Sequence, residues 1–254
     1  MIFCLKSLKK WAGSKILLTK KYYRFLSEFN EFISLSKDCD DHLTPIAKWS
    51  ERYPVLSDWT SHTTFEPHYT YHPAWAARVL AKIKPSFHVD ISSSLSFVSQ
   101  ISAFIPIHFY DYRPANLNLE GLSCMKADLL SLPFNTNSIE SISCMHVIEH
   151  VGLGRYGDAL DPQGDIKAIR ELQRVTANNG HFLLVVPVGK PRVQFNAHRI
   201  YRASQLLELF KDDWKLNSFS LISDDASFIE NAPITLSDSM SWACGCFWFT
   251  KSLT

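Results

Sequence analysis

The sequence predicts an α/β protein, a doubly wound sheet preceded by a helical extension. Three observations predict it. Short apolar runs recur with helix-length gaps between them, the pattern of parallel strands joined by crossover helices. Three of these runs lead into an acid: Phe87-His-Val-Asp90, Ile107-His-Phe-Tyr-Asp111 and Leu122-Ser-Cys-Met-Lys-Ala-Asp128. Asp111 follows Asp90 by 21 residues, close to the roughly 20-residue offset of ribose-binding acids in dinucleotide folds. Ligands of such sheets bind beyond the carboxyl ends of the strands. The chain therefore reads as built to hold a nucleoside-containing cofactor.

The elements follow in order. Residues 1–60 read as a helical extension ending in a loop with Pro45 and Pro54, and residues 61–254 as the α/β domain. Residues 61–73 are rich in His, Tyr and Thr and read as a loop. Pro73 then opens a helix over 74–84, with Trp75, Val79, Leu80 and Ile83 at helical spacing. Strand one is expected at 86–91, a helix at 94–104, strand two at 106–111, strand three at 122–127 and strand four at 139–145. Pro162 starts a helix through Arg174, and Asn178-Asn-Gly180 stops it. Strand five, His181 to Val186, is closed by Pro187. A short helix at 203–211, strand six at 214–222 and an aromatic-rich last strand at 241–250 complete the domain.

Composition narrows the function classes. The chain has 254 residues, 46% hydrophobic and 20% charged, enough for one α/β domain with an ordinary core. A net charge of +1 argues against nucleic-acid binding, which leaves a basic domain. Six cysteines without a CxxC pair read as reduced thiols of a cytoplasmic protein. Cys244 and Cys246 share one side of a strand, but two ligands do not make a zinc site, so no metal is expected. Neither a secretory leader nor a membrane span is read. Lys6, Lys9, Lys10, Lys15, Lys20, Lys21 and Arg24 precede the first acid, Glu28, and alternate with apolar residues such as Leu5, Leu8, Trp11 and Ile16. Such a stretch is either a packed extension with solvated lysines or a peripheral contact of residues 1–27 with the inner membrane surface.

Three patterns carry a resemblance. They are Lys126-Ala-Asp-Leu-Leu-Ser-Leu-Pro-Phe134, Ser138-Ile-Glu-Ser-Ile142 and Met145-His-Val-Ile-Glu-His-Val151. In these the chain resembles the class I S-adenosylmethionine (SAM)-dependent methyltransferases over roughly residues 65–250. Phe195-Asn-Ala-His-Arg-Ile-Tyr201 and Cys244-Gly-Cys-Phe-Trp-Phe-Thr-Lys251 look like a narrower bacterial and nematode family, domain of unknown function 268. The resemblance implies a Rossmann-like, seven-stranded sheet whose final strand runs antiparallel, with SAM as cofactor.

It also implies roles. Asp111 would hold the ribose, Asp128 the adenine amino group with the Leu129 amide beside it, and Asp90 the loop around the methionine end. The family's glycine-rich turn is replaced by Ser92, Ser94 and Ser96, where a hydroxyl of Ser92 or Ser94 could bond the amino-acid end. His146, Glu149 and His150 shape the pocket mouth. His198 is the expected general base, with His150 next. Arg199 and Tyr201 are expected to grip the acceptor unless Arg199 only bridges to an acid, and Tyr71 and His72 either to fold over the site as part of a lid or to form an aromatic patch covering the core. The implied activity is O-methylation of a small or carbohydrate acceptor, including a lipid-linked glycan, in bacterial surface-polysaccharide synthesis. The rival is a domain that kept the fold and lost the cofactor, acting as an interaction module. Oligomeric state is not readable.

Overall fold

The computed structural model describes residues 2–37 and 45–252, with side chains from residue 17 onward. The chain forms two compact units, residues 1–64 and 65–254. In the first, helix α1 spans Ile2–Ser36. Tyr22, Phe25 and Phe29, at helical spacing, form a ring ladder with centroid distances of 5.9 and 6.4 Å, and Phe29 meets Trp49 edge-on at 5.2 Å. Arg24 lies 3.7 Å over the Trp59 ring and pairs with Glu28. Lys6, Lys9, Lys10 and Lys15, with their apolar neighbours, lie outside the described side chains. No described helix is long and apolar enough to cross a membrane.

The second unit contains α2 (Pro67–Ile83), β1 (His88–Ile91), α3 (Leu95–Ile101), β2 (Ile107–Asp111), β3 (Leu122–Lys126), β4 (Ile139–Met145), α4 (Gly164–Val175), β5 (Thr176–Val188), β6 (Arg192–Gln194), β7 (His198–Ile200), α5 (Ala203–Leu207), β8 (Trp214–Ile222), β9 (Phe228–Ile229) and β10 (Ala243–Lys251). The main sheet runs β3-β2-β1-β4-β5-β10-β8-β9. β1 to β5 pair in parallel, and β10 runs antiparallel to both β5 and β8. This is the expected doubly wound sheet with a reversed last strand, extended by the two-residue edge strand β9.

Alternation along the strands sorts side chains between two helical layers. Phe182, Leu184, Val186 and Val188 of β5 pack with Ile169 and Leu172 of α4 and Leu206 of α5. Leu183 and Val185 face the other way, with Trp75, Val79 and Leu80 of α2 and Phe97 of α3. Each such buried Leu or Phe contributes about 1.5–3 kcal/mol.

Four expectations need correction. Pro67, not Pro73, opens α2, because Glu66 caps the helix by accepting from the Tyr69 amide; Pro73 lies within it. Pro187 does not end β5. Its carbonyl accepts from the Tyr201 amide at 3.0 Å, on the side where β4 has already stopped, so the missing N–H removes no ladder bond. Asn178-Asn-Gly180 does not follow a helix end; α4 stops at Val175, and these residues make an irregular start to β5, where the ladder with β4 shifts register. Finally, residues 192–200, where no element is expected from the sequence, form the β6–β7 hairpin.

Candidate functional site

The carboxyl ends of β1 to β4 border two cavities, of about 390 and 430 Å³, that share Ser92, His146, His150 and Tyr156. Together they form one cleft.

Asp111, Asp128 and Leu129 line the larger cavity. Asp111 ends β2, and its Oδ1 accepts from the Arg113 amide at 2.6 Å. Asp128 repeats this after β3, accepting from the Leu130 amide at 2.9 Å. Both are short side-chain-to-backbone turns that aim a carboxylate over a strand end. The far wall is the loop Val151–Asp161. Asp158 holds it by accepting from the Gly152 and Tyr156 amides at 2.7 and 3.1 Å. Gly152 has φ +79°, and a Cβ there would stand 2.1 Å from the Asp161 carbonyl oxygen, so the loop requires glycine.

Asp90 lies beneath the cleft. Its Oδ1 accepts from the Ser93 amide at 3.0 Å, and Ser143 donates to Oδ2. Burial pushes its carboxyl up to about 6. Its place is to hold the β1 turn. In that turn Ser92 takes φ +57°, the conformation for which glycine is usual. Ser94 instead caps α3, accepting from the Phe97 amide at 3.3 Å. Of the serines replacing the glycine turn, only Ser92 occupies the left-handed position.

The smaller cavity is lined by histidines and aromatic rings. His146 has φ +58° and gives Nδ1 to Glu149 Oε1 at 2.9 Å. Glu149 is 1% exposed, and its Oε2 is buried with no hydrogen-bond partner. His150 donates Nδ1–H to the Ala197 carbonyl at 2.6 Å, which leaves the Nε2 lone pair unprotonated. His198 bonds Gln194 and packs over Trp242 at 4.2 Å; its ring lies 6.4 Å from that of His150. Burial lowers the pKa of both rings, which favours their neutral, proton-accepting forms.

The structure gives Tyr201, Tyr71 and His72 other places than the expected acceptor contact and lid, and for Arg199 it favours the bridge to an acid. Arg199 is buried, pairs with Asp165 at 3.4 Å, and donates to the carbonyls of Val151 and Asp161, so it fastens the cleft loop from behind. Tyr201 donates to Asp165 at 3.0 Å and borders neither cavity. Tyr71 sits in α2 and stacks on Phe228 at 5.3 Å, away from the cleft. His72 is fully buried, its Nδ1 bonding the His68 carbonyl at 2.6 Å, and burial holds its ring at about 3. A helix through residues 67–73 faces these side chains inward or outward, and no lid remains for them to form.

Sequence reasoning missed Glu66, His68, Arg155, Tyr156 and Trp242, which also line the smaller cavity. The i, i+4 spacing of His68 and His72 was the available signal for His68, once α2 starts at Pro67.

Residues 130–241 match the family described as Caenorhabditis protein of unknown function, DUF268. Over this stretch the chain is DUF268-like. The DUF268-like stretch carries His146, Glu149, His150, Arg155, Tyr156 and His198. Ser92, Asp111 and Asp128 lie before it and Trp242 just after. No curated protein matches the chain. Among solved structures, it is similar to a putative methyltransferase from Bacillus halodurans, with 11% identity and a TM-score of 0.49, over 70% of this chain and 99% of that one. It is similar to a SAM-dependent methyltransferase from Methanosarcina mazei, with 14% identity and a TM-score of 0.47, over 69% and 98%. It is also similar to the 1,6-didemethyltoxoflavin-N1-methyltransferase of Burkholderia thailandensis, with 10% identity and a TM-score of 0.49, over 73% and 81%. The doubly wound fold itself rests on the chain's own strand order.

Proposed function

We propose that this protein is a SAM-dependent methyltransferase acting on a hydroxyl oxygen of a small or carbohydrate acceptor. The observation that carries the reading is the joined cleft at the carboxyl ends of β1 to β4, with two turn-held carboxylates at one end and histidines at the other. The residues present fit the cofactor. Asp111 and Asp128 each fix one oxygen on a turn amide, and their second oxygens would accept from the ribose hydroxyls and the adenine amino group. Glu149 Oε2 is an orphaned buried acceptor beside Ser92 and His146, suited to a cationic ammonium or sulfonium.

SAM, when bound, supplies a methyl group already activated on a sulfonium. The protein's task is to position the acceptor, exclude water and remove one proton. His150 is the better-placed base. Its Nδ1 proton is held by Ala197, its Nε2 makes no hydrogen bond among the described residues and stands 3.9 Å from Glu149 Oε1, so it can take the hydroxyl proton beside a carboxylate, and it lies where the two cavities meet. His198, expected from sequence as the base, is tied to Gln194 and flanks it. Tyr69, Tyr156 and Trp242 offer ring faces to a sugar and shield the cavity from water. For a lipid-linked acceptor, the basic segment 1–27 would hold the enzyme at the cytoplasmic membrane surface.

Calorimetric titration with SAM and S-adenosylhomocysteine tests the reading. Saturable binding of either supports it. Absence of binding at millimolar ligand favours a non-catalytic domain, a reading motivated by the Cβ that Ser92 places in the left-handed turn.

A further inference from the structure

We infer that His68, His146 and Cys244 form a binding site for a divalent transition metal of the zinc class, with one coordination position open to the smaller cavity. The inference does not depend on the methyl-transfer reading: Glu149 enters both, but metal binding is read without SAM.

The three side chains come from distant parts of the chain. His68 lies in the first turn of α2, His146 just past β4, and Cys244 in β10; β4 and β10 flank β5. One ligand atom from each lies within 4.8 Å of the other two. His146 Nε2 and Cys244 Sγ are 3.4 Å apart. Tetrahedral ligands at about 2.0 Å (nitrogen) and 2.3 Å (sulfur) from zinc stand roughly 3.5 Å from each other. The donors, two imidazoles and a thiol, are those zinc prefers, and three protein ligands leave a fourth position open. His68 and His146 line the cavity, so that position faces it.

The surroundings support the assignment independently. A ligating histidine characteristically gives its other ring N–H to a carboxylate or a backbone carbonyl. His146 does so to Glu149 at 2.9 Å, with side-chain exposures of 5% and 1%, and this aims its Nε2 lone pair at Cys244. His68 is held by packing, its ring stacked 5.7 Å from that of Trp242. Beside the triad, His72 donates Nδ1–H to the His68 carbonyl and leaves Nε2 buried without a partner, its ring 5.1 Å from that of His146. A buried acceptor with no donor is the kind of atom that a metal-bound water satisfies. Metal entry forms a metal–sulfur bond and releases the Cys244 proton to solvent.

The rival is a simple stack of His68 on His146, whose rings lie 5.6 Å apart and nearly parallel. The full chain, stripped with chelator, is titrated with Co²⁺ and then with Zn²⁺, and metal is counted after gel filtration. The expected result is one ion per chain and a thiolate-to-cobalt charge-transfer band that Zn²⁺ abolishes. Cys244→Ser should remove the band, and Cys246→Ser should keep it. Glu149→Gln should weaken binding about 10- to 100-fold. No stoichiometric metal in the wild type, or a cobalt spectrum without a thiolate band, overturns the inference whatever the variants do. Retention of the band in Cys244→Ser overturns it as well.

Discussion

His88 and Asp90, two residues apart on β1, share one serine hydroxyl. Ser143 donates to Asp90 Oδ2 and accepts from His88 Nε2, with His88 and Ser143 2.8 Å apart. The other histidine nitrogen, Nδ1, meets Ser141 Oγ at 2.7 Å. One proton arrangement satisfies the whole chain: Ser141 donates to Nδ1, Nε2–H donates to Ser143, and Ser143 donates to the carboxylate. All four residues are buried. Asp90 in turn holds the Ser93 amide, and Ser93 Oγ accepts from the Met145 amide at 3.1 Å. The cleft floor is thus tied to the sheet by a polar network.

That network makes stability depend on pH in two opposed ways. Burial raises Asp90 from 3.8 to about 6 and lowers His88 from 6.5 to about 3. A raised acid contributes stability below its unfolded value and loses it as pH rises through about 6. A lowered histidine contributes above 6.5 and loses it as pH falls towards 3. Asp90→Asn isolates the first effect. Denaturant unfolding at a series of pH values should show the wild-type advantage over the variant shrinking by on the order of 2–3 kcal/mol between pH about 4 and 7. A constant difference would mean that the Asp90 carboxyl titrates normally.

Asp111→Ala should weaken SAM binding roughly ten- to a hundredfold, the loss of one charge-assisted bond of about 1.5–3 kcal/mol. Calorimetry measures it directly. An unchanged dissociation constant would move the ribose elsewhere in the cleft.

The serine turn divides by role. Ser92→Gly removes a left-handed strain of about 1 kcal/mol, offset by a similar loss of chain entropy on folding, so stability should stay within about 1 kcal/mol. SAM should bind a few-fold tighter as the Cβ leaves the cleft. Ser94→Ala loses a helix cap and should cost about 1 kcal/mol in thermal unfolding. Weaker binding in Ser92→Gly would show instead that the hydroxyl is a ligand.

For any hydroxyl compound that is methylated, His150→Ala should lower turnover by about 10²- to 10⁴-fold with SAM affinity nearly unchanged. His198→Ala should cost less, because its ring is committed to Gln194 and Trp242. The reverse order in single-turnover rates would return the role of base to His198.

The basic segment offers a separate test. Each lysine near an anionic surface contributes about 1 kcal/mol. The full chain should sediment with anionic liposomes at low salt and release at high salt, while a chain lacking residues 1–27 should stay in solution with its core folded. A wild type that stays in solution at low salt ends the membrane reading.

Local pattern determined much of this protein by itself. Strands 139–145 and 214–222 are legible to the residue, because apolar runs between turn residues define a buried strand locally. The acids after β2 and β3 are legible for the same reason, since a strand end is a local event and the cleft lies there by topology. Proline punctuation was less reliable: Pro73 and Pro187 mark boundaries only where a backbone donor is needed, and that depends on which neighbour is present. The tertiary structure alone decided what the polar residues do. Arg199 and Tyr201 sit two residues apart beside His198, yet packing sends them to Asp165 and the loop behind the cleft. His68, His146 and Cys244 meet only because the tertiary fold brings the first turn of α2 beside the end of β4 and the start of β10. Their separation in sequence carries no trace of that contact, since strand order and helix placement are set by burial of apolar faces and not by the side chains that end up together.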